Sequence, residues 1–324
     1  MEIKSSKKLA VILVLAFIFG MPLRAQDRND VIKVYNDGAK AAQTDLPAAI
    51  ESFEKVITLS DQVGETASDL KQKAIQILPG LYFKLAYNDF NQKKAAPEVI
   101  RASKQAVAAA DKYGSKANKE NSEKVLVAAY NSLATQYFSK GELENALMTF
   151  DSLLAINPDY LTAIYNKALI YIKQDSAADF EKTIDLFLGK LKSANDEERA
   201  KQASQVALEY FRGAGSRADQ ADKTDEALEL LNKAAKYGED KDLYYYFADV
   251  YNKQKNYDQA AENAQKGLEM ETGDAEAKAK FYFQLGLAQA GKGEKSEACS
   301  SLKNAAHGAF AEAAKAERTN LKCE

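Results

Sequence analysis

Between residues 130 and 158 the apolar side chains follow a helical period. Tyr130, Leu133, Ala134 and Tyr137 fall at i, i+3, i+4 and i+7, which places them on one face of a helix. A second short series, Ala146 and Phe150, follows one turn apart, with Gly141 before it and Pro158 after it. Glycine accepts the left-handed backbone that ends a helix, and proline cannot continue one. The pattern therefore predicts two helices joined by a tight turn. Ala134 and Ala146 sit where the two would approach most closely, since axes about 8–10 Å apart leave no room for a large side chain. Tyr130, Tyr137 and Phe150 fill the flanks of that contact.

The same pattern returns along the chain. Residues 161–191 carry Ala168 and Tyr171 and then Phe187, with about three extra residues expected in the turn around Ser176, Ala177 and Ala178. Phe211, Ala214, Gly215 and Ala218 precede Ala227, Leu231 and Ala234. Tyr244, Phe247, Ala248 and Tyr251 precede Ala260, Ala264 and Gly267. Tyr282, Leu285 and Gly286 precede Ala298, Leu302 and Ala305, with Gln289 standing where a second tyrosine would fall. Ala227 to Ala260 is 33 residues and Ala260 to Ala298 is 38, so a two-helix segment of nearly constant length is being copied. Strand-type alternation of β-branched residues is absent, prolines number five, and Ala, Lys, Glu, Leu and Gln are abundant. The chain reads as all-α.

The order aromatic, Leu-small, Tyr, then Ala and Phe, then Pro within about 34 residues resembles the tetratricopeptide repeat, with Tyr130 where its tryptophan often stands and Ala134 in place of its glycine. The resemblance implies a right-handed superhelical stack of antiparallel helix pairs, an α-solenoid of about seven repeats with a C-terminal capping helix. It is weaker in the N-terminal third. There Gly38 and Ala41, followed by Ala49 and Phe53, read as one repeat with a shortened turn. Residues 71–92 and 97–113 read as a further pair, bounded by Pro97 at a helix start and Gly114 at its end. The polar stretch Ser115–Glu123 reads as a hinge, which divides the chain into degenerate repeats at 26–114 and a regular array at 115–324. Gly213 and Gly215 fall inside a long helix starting near Asp196, read here as unbroken with Gly215 as a close-packing position; a break at Gly213 is the alternative.

Residues 1–25 stand apart from this organisation. Lys4, Lys7 and Lys8 lead into an apolar run from Leu9 to Met21 and then Pro22 and Ala25. A basic start, a short apolar stretch and a small exit residue describe a secretory signal peptide, cleaved after Ala25. The apolar run falls short of the ~20 residues a spanning helix needs. No cysteine lies near the exit, so lipid anchoring there is excluded. Setting aside this segment leaves 40 basic and 46 acidic side chains, a net charge of about −6, which does not suit a nucleic-acid partner. The mature chain is expected to be exported, periplasmic or at the outer-membrane face, and not membrane-embedded.

Candidate catalytic chemistry is sparse. His307 is the single histidine, and a zinc site built from one histidine and two cysteines is short of ligands. No Gly-rich phosphate loop or nucleophile elbow is present. The expectation is a protein without catalytic residues, metal or cofactor. Cys299 and Cys323 flank a predicted capping helix over residues 308–322, and in an oxidising compartment a disulfide between them would pin it; two buried free thiols are the alternative.

The resemblance also implies a binding surface, because in the repeat family the first helix of each pair lines a concave groove. Carried over position by position, the groove would consist of Asn131, Thr135 and Phe138, then Tyr165 and Leu169, Arg212, Tyr245, Asp249 and Asn252, and Phe283 and Leu287. Aromatics interspersed with neutral polar groups suit an extended peptide or a partner helix. The lysines of the family's carboxylate-gripping variant are missing here. The expected function is a non-catalytic scaffold or adaptor of the cell envelope; the alternative is a glycan- or peptidoglycan-associated factor stacking sugars on Tyr165, Tyr245 and Phe283.

Overall fold

The computed structural model describes residues 27–323, so the signal-peptide segment lies outside the described residues. Those residues form helices in consecutive pairs: α1 (Arg28–Ala41) with α2 (Leu46–Val63), α3 (Ser68–Asn91) with α4 (Ala96–Lys112), and α5 (Lys116–Ser139) with α6 (Leu143–Ile156). Then come α7 (Leu161–Lys173) with α8 (Ala177–Ser193), α9 (Glu197–Gln220) with α10 (Thr224–Ala235), and α11 (Lys241–Lys253) with α12 (Tyr257–Met270). The series ends with α13 (Ala275–Lys292), α14 (Lys295–Asn304) and a last helix, α15 (Ala311–Asn320). No strand occurs among the described residues.

Local chemistry starts and stops these helices. The side chains of Asp27, Asp45, Asp196, Asp240 and Asp274 each accept a backbone N–H in the first turn of the helix they precede. Within six of the seven pairs the turn passes through one left-handed residue: Lys93, Gly141, Asp175, Asp222, Lys255 or Gly293. The next N–H then reaches back five residues, as from Glu142 to the Tyr137 carbonyl at 2.9 Å, Ser176 to Tyr171 at 3.0 Å, and Asn256 to Tyr251 at 2.9 Å. In the last pair the same bond runs from Glu294 to Gln289 at 2.9 Å. The carbonyl does this work, which is why glutamine can stand in the tyrosine position.

The chain divides into two compact units between Ala129 and Tyr130, inside α5. The stretch Ser115–Glu123, expected to be a hinge, is corrected: from Lys116 onward it is the first half of α5. Its Lys, Ala, Asn and Glu residues tolerate helix well, and polarity alone does not break one. The expected division at 114/115 therefore differs from the compact units by half a helix.

In the first unit, α1 closes on α2 at Gly38, where an added Cβ would come 3.0 Å from Ser52 Cβ. Phe53, Val56, Leu70, Ala74 and Leu78 form its core. In the second unit Ala134, Ala146, Ala168, Ala227, Ala248, Ala260 and Ala298 are all fully buried, as close helix contacts require. α9 is continuous through Gly213 and Gly215, as read from sequence. First helices of successive pairs also touch, α9 against α11 and α11 against α13.

One register assignment needs correction. The fourth residue of α6, Ala146, closes its first turn by donating its N–H to Glu142; Phe180 does the same to Ser176 at 2.9 Å in α8. Phe180 thus fills the alanine position, and Ile184, not Phe187, is the counterpart of Phe150. Nothing is inserted in the turn, because Ala177 and Ala178 already belong to α8. Phe180 is fully buried and packs edge-on to Tyr210, ring centroids 4.6 Å apart, and against Phe211 at 5.6 Å.

Candidate functional site

The first helices of the second unit carry most of the groove residues expected from sequence, and the structure gives each a definite environment. Thr135 is exposed, while Asn131 is half-buried and its side-chain oxygen has no donor among the described residues. Phe138 is half-buried beneath the ammonium of Lys173, 5.7 Å from the ring centroid. Leu169 and Leu287 are half-buried. Arg212 is paired with Asp240, the cap of α11. Phe283 lies 5.4 Å from Phe310, so its ring belongs to the contact with the C-terminal segment.

Tyr165 lines a cleft. Its ring lies 5.0 Å from Phe187, and with Leu161 and Ala203 the two form an apolar floor. Thr162, Gln202 and Arg199 stand around it, and the space measures about 160 Å³. Three helices build it: the first two turns of α7 and of α9, and Phe187 of α8. Arg199 is held by Asp196 through a 2.5 Å Nε–Oδ2 contact, which fixes the guanidinium at the rim. Phe187, Arg199 and Gln202 were not read from the sequence as site residues. They sit in the first two turns of α9 and on a second helix, outside the first-helix positions that the repeat pattern marks.

Further along, Tyr245, Asp249 and Asn252 come together with three residues the sequence reading missed: Asp219, Lys253 and Gln284. Gln284 Nε2 donates to Asp249 Oδ1 at 2.8 Å, and Asn252 Nδ2 donates to Gln284 Oε1 at 2.8 Å. Lys253 Nζ meets Asp219 Oδ2 at 2.8 Å. Burial first, and then Asp219, push the Asp249 carboxyl up to about 6 against the pull of Lys253 and Gln284. Burial, followed by Asp249, pushes the Tyr245 hydroxyl up to about 12. The signal for the missed residues is their spacing, because Asp219 and Lys253 are 34 apart, one full period. Paired carboxylates can serve acid–base chemistry, but Asp219 is 2% exposed and engaged by Lys253, so it ties α9 to α11 rather than facing a substrate.

Small side chains at most helix contacts, the left-handed turn of six pairs and the first-helix face decide the architecture. The fold is tetratricopeptide-like. No protein-family model matches the chain, and no curated protein matches it. Among solved structures, the MamA protein is 19% identical with a TM-score of 0.35, over 61% of this chain and 96% of that one. A tetratricopeptide repeat protein from Parabacteroides merdae is 19% identical with a TM-score of 0.30, over 91% and 99%. YrrB, described as a TPR protein with an unusual peptide-binding site, is 22% identical with a TM-score of 0.33, over 59% and 89%. What the tetratricopeptide-like face of this chain recognises has to follow from its own side chains.

At the C-terminal end Cys299 and Cys323 are bonded, their Cα atoms 5.6 Å apart across 24 residues. The bridge fastens the segment holding α15, whose Ala314 packs with Leu302 and Ala305. His307 is exposed. Among the described residues no three His, Cys, Asp or Glu side chains group as a metal site, and no helix is long and apolar enough to cross a membrane.

Proposed function

We propose that the second unit is a non-catalytic scaffold that holds an extended segment of a partner protein along its first-helix face, with one apolar side chain of the partner seated in the Tyr165–Phe187 cleft. The cleft is the observation that carries this reading. Its volume of about 160 Å³ fits a single side chain, whereas small-molecule sites run to ~300–1,000 Å³. Aromatic walls supply contact area with few rotors to freeze, and the amide, hydroxyl and guanidinium at the rim can bond a peptide backbone.

We further infer that the protein works as an adaptor in the cell envelope, periplasmic or at the outer-membrane face. Two features support this: the basic, apolar and small-residue order of residues 1–25, and the bonded cysteines, since disulfides persist in oxidising compartments.

The test is site-specific photo-crosslinking in cells. The crosslinker replaces exposed Thr162 at the cleft or, as a control, exposed Glu229 on α10. A protein adduct is expected at Thr162 and not at Glu229, and Gln202→Arg, an exposed change that fills the cleft mouth, should remove it without altering thermal unfolding. Equal adducts at both positions, or adducts indifferent to Gln202→Arg, would rule the cleft out. An adduct digested by glycan hydrolases and not by proteases would move the assignment to a sugar polymer.

A further inference from the structure

At the centre of the first-helix face two carboxyl groups from neighbouring repeats oppose each other. Asp219, in the last turn of α9, is 2% exposed. Its Oδ2 accepts from Lys253 Nζ at 2.8 Å, and its main-chain carbonyl accepts from the same ammonium at 3.1 Å. The other oxygen, Oδ1, is buried and has no donor among the described residues. Asp249 of α11 converges on the same ammonium, and after burial Asp219 is the neighbour that most raises its carboxyl. Its Oδ1 is taken by Gln284 Nε2 at 2.8 Å, and its Oδ2 lies 3.8 Å from Lys253 Nζ.

Two ionised carboxylates offer only acceptors, so they cannot bond without a hydrogen between them. Like charges in a shielded site also cannot both ionise easily. A single proton removes both difficulties, because it gives one carboxyl a donor to offer the other and leaves one negative charge beside the ammonium of Lys253. We propose that Asp219 and Asp249 share a proton, forming beside the Lys253 ion pair a second latch between α9 and α11 that closes under mildly acidic conditions and opens when both groups ionise.

The surroundings leave the pair little alternative. From α9 and its turn come Asp219 itself and Asp222, which acts on Lys253. From α11 come Lys253, Tyr245 and Tyr246. α13 supplies neutral Gln284, while the ammonium of Lys280 lies 5.3 Å above the Tyr245 ring and is paired with Asp242. α10 brings apolar Ala227 and Leu231 against Gly215, and α12 brings Ala264 against Ala248. Among the described residues Lys253 is therefore the one cation paired with either carboxyl.

The sign follows from the raised value. The folded chain holds the Asp249 proton up to about pH 6, whereas an unfolded aspartate releases it near pH 3.9. Protonation thus favours the folded state as pH falls from about 6 towards 4, and that contribution is lost as pH rises through 6. The latch regulates the face to which the partner was assigned above, and so rests on that reading for its consequence. The proton itself belongs to the free protein, which keeps the two separable.

Carbon-detected NMR of the full chain labelled at aspartate Cγ tests it, with Asp219→Asn and Asp249→Asn assigning the resonances. One titration with a midpoint near 6 is expected, absent from both variants. In Asp219→Asn the remaining Asp249 carboxyl should titrate lower, because the neighbouring negative charge is gone. The melting temperature of the natural chain should rise as pH falls from about 7.5 to about 5, and that rise should flatten in Asp249→Asn. Both carboxyls titrating near 3.9 in the unaltered protein would overturn the proposal without any variant.

Discussion

A Cβ added to Gly215 of α9 would stand 2.8 Å from Leu231 Cγ of α10 and 3.2 Å from the Ala227 carbonyl oxygen. The two helices meet there with no space for a methyl group. Gly213, two residues earlier, has only the tip of Arg217 at 3.7 Å. Gly215→Ala is expected to cost about 1–3 kcal/mol through overpacking. Gly213→Ala should stabilise by up to about 1 kcal/mol, because alanine is the better helix former and nothing obstructs it. Denaturant unfolding of the two single variants checks the opposite signs.

Phe180 stands where Ala146, Ala227, Ala260 and Ala298 stand in other repeats, and consensus logic would replace it with alanine. The structure predicts the reverse outcome. Phe180 is fully buried among Tyr210, Phe211 and Ile184. Phe180→Ala should cost about 3–5 kcal/mol from lost burial and the cavity left behind. A thermal or denaturant midpoint unchanged from the natural chain would contradict the register assigned to α8.

Removing the bridge by Cys299→Ser with Cys323→Ser should cost about 3 kcal/mol on the chain-entropy model for a 24-residue loop. Hydrogen exchange should locate the loss in α15 and the turn before it, with α9 to α12 keeping their protection. Mass analysis of unreduced protein after alkylation should find no modified thiol.

Acid should destabilise the fold through a different set of carboxylates. Lys241, at 2.8 Å, and then the Gly273 amide hold Glu271 below the usual carboxylate range, and the Arg28 hydrogen bond holds Asp69 at about 2. Carboxyls depressed in the folded state stabilise it above about pH 4 and lose that contribution as pH falls through their folded values. Melting temperature should therefore fall steeply from about pH 4 to about pH 2, and Glu271→Gln should shallow that limb. The Asp219–Asp249 pair works in the opposite direction and in a higher window.

Helix number, pairing and most contact positions were legible because a period of about 34 residues writes the same small side chains into most pairs. Ala134, Ala146, Gly215 and Ala260 could be named from spacing alone. Phe180 could not, since a large ring in a small slot is admitted only by what α9 presents to it. The hinge expected at Ser115–Glu123 failed for a related reason: polar residues fit a helix as readily as a loop, and the backbone pattern decides between them.

The sequence by itself determined the class of fold, most of the close contacts and the two cysteines able to meet, because these depend on residue types placed at fixed intervals. Only the tertiary structure decided which first-helix residues act together. Asp219, Asp249, Lys253 and Gln284 are bound by distances across three helices, and the Tyr165 cleft needs Phe187 from a second helix and Arg199 and Gln202 from the next pair. Burial and the opposition of two charges arise when separate helices pack, so no one-dimensional pattern contains them.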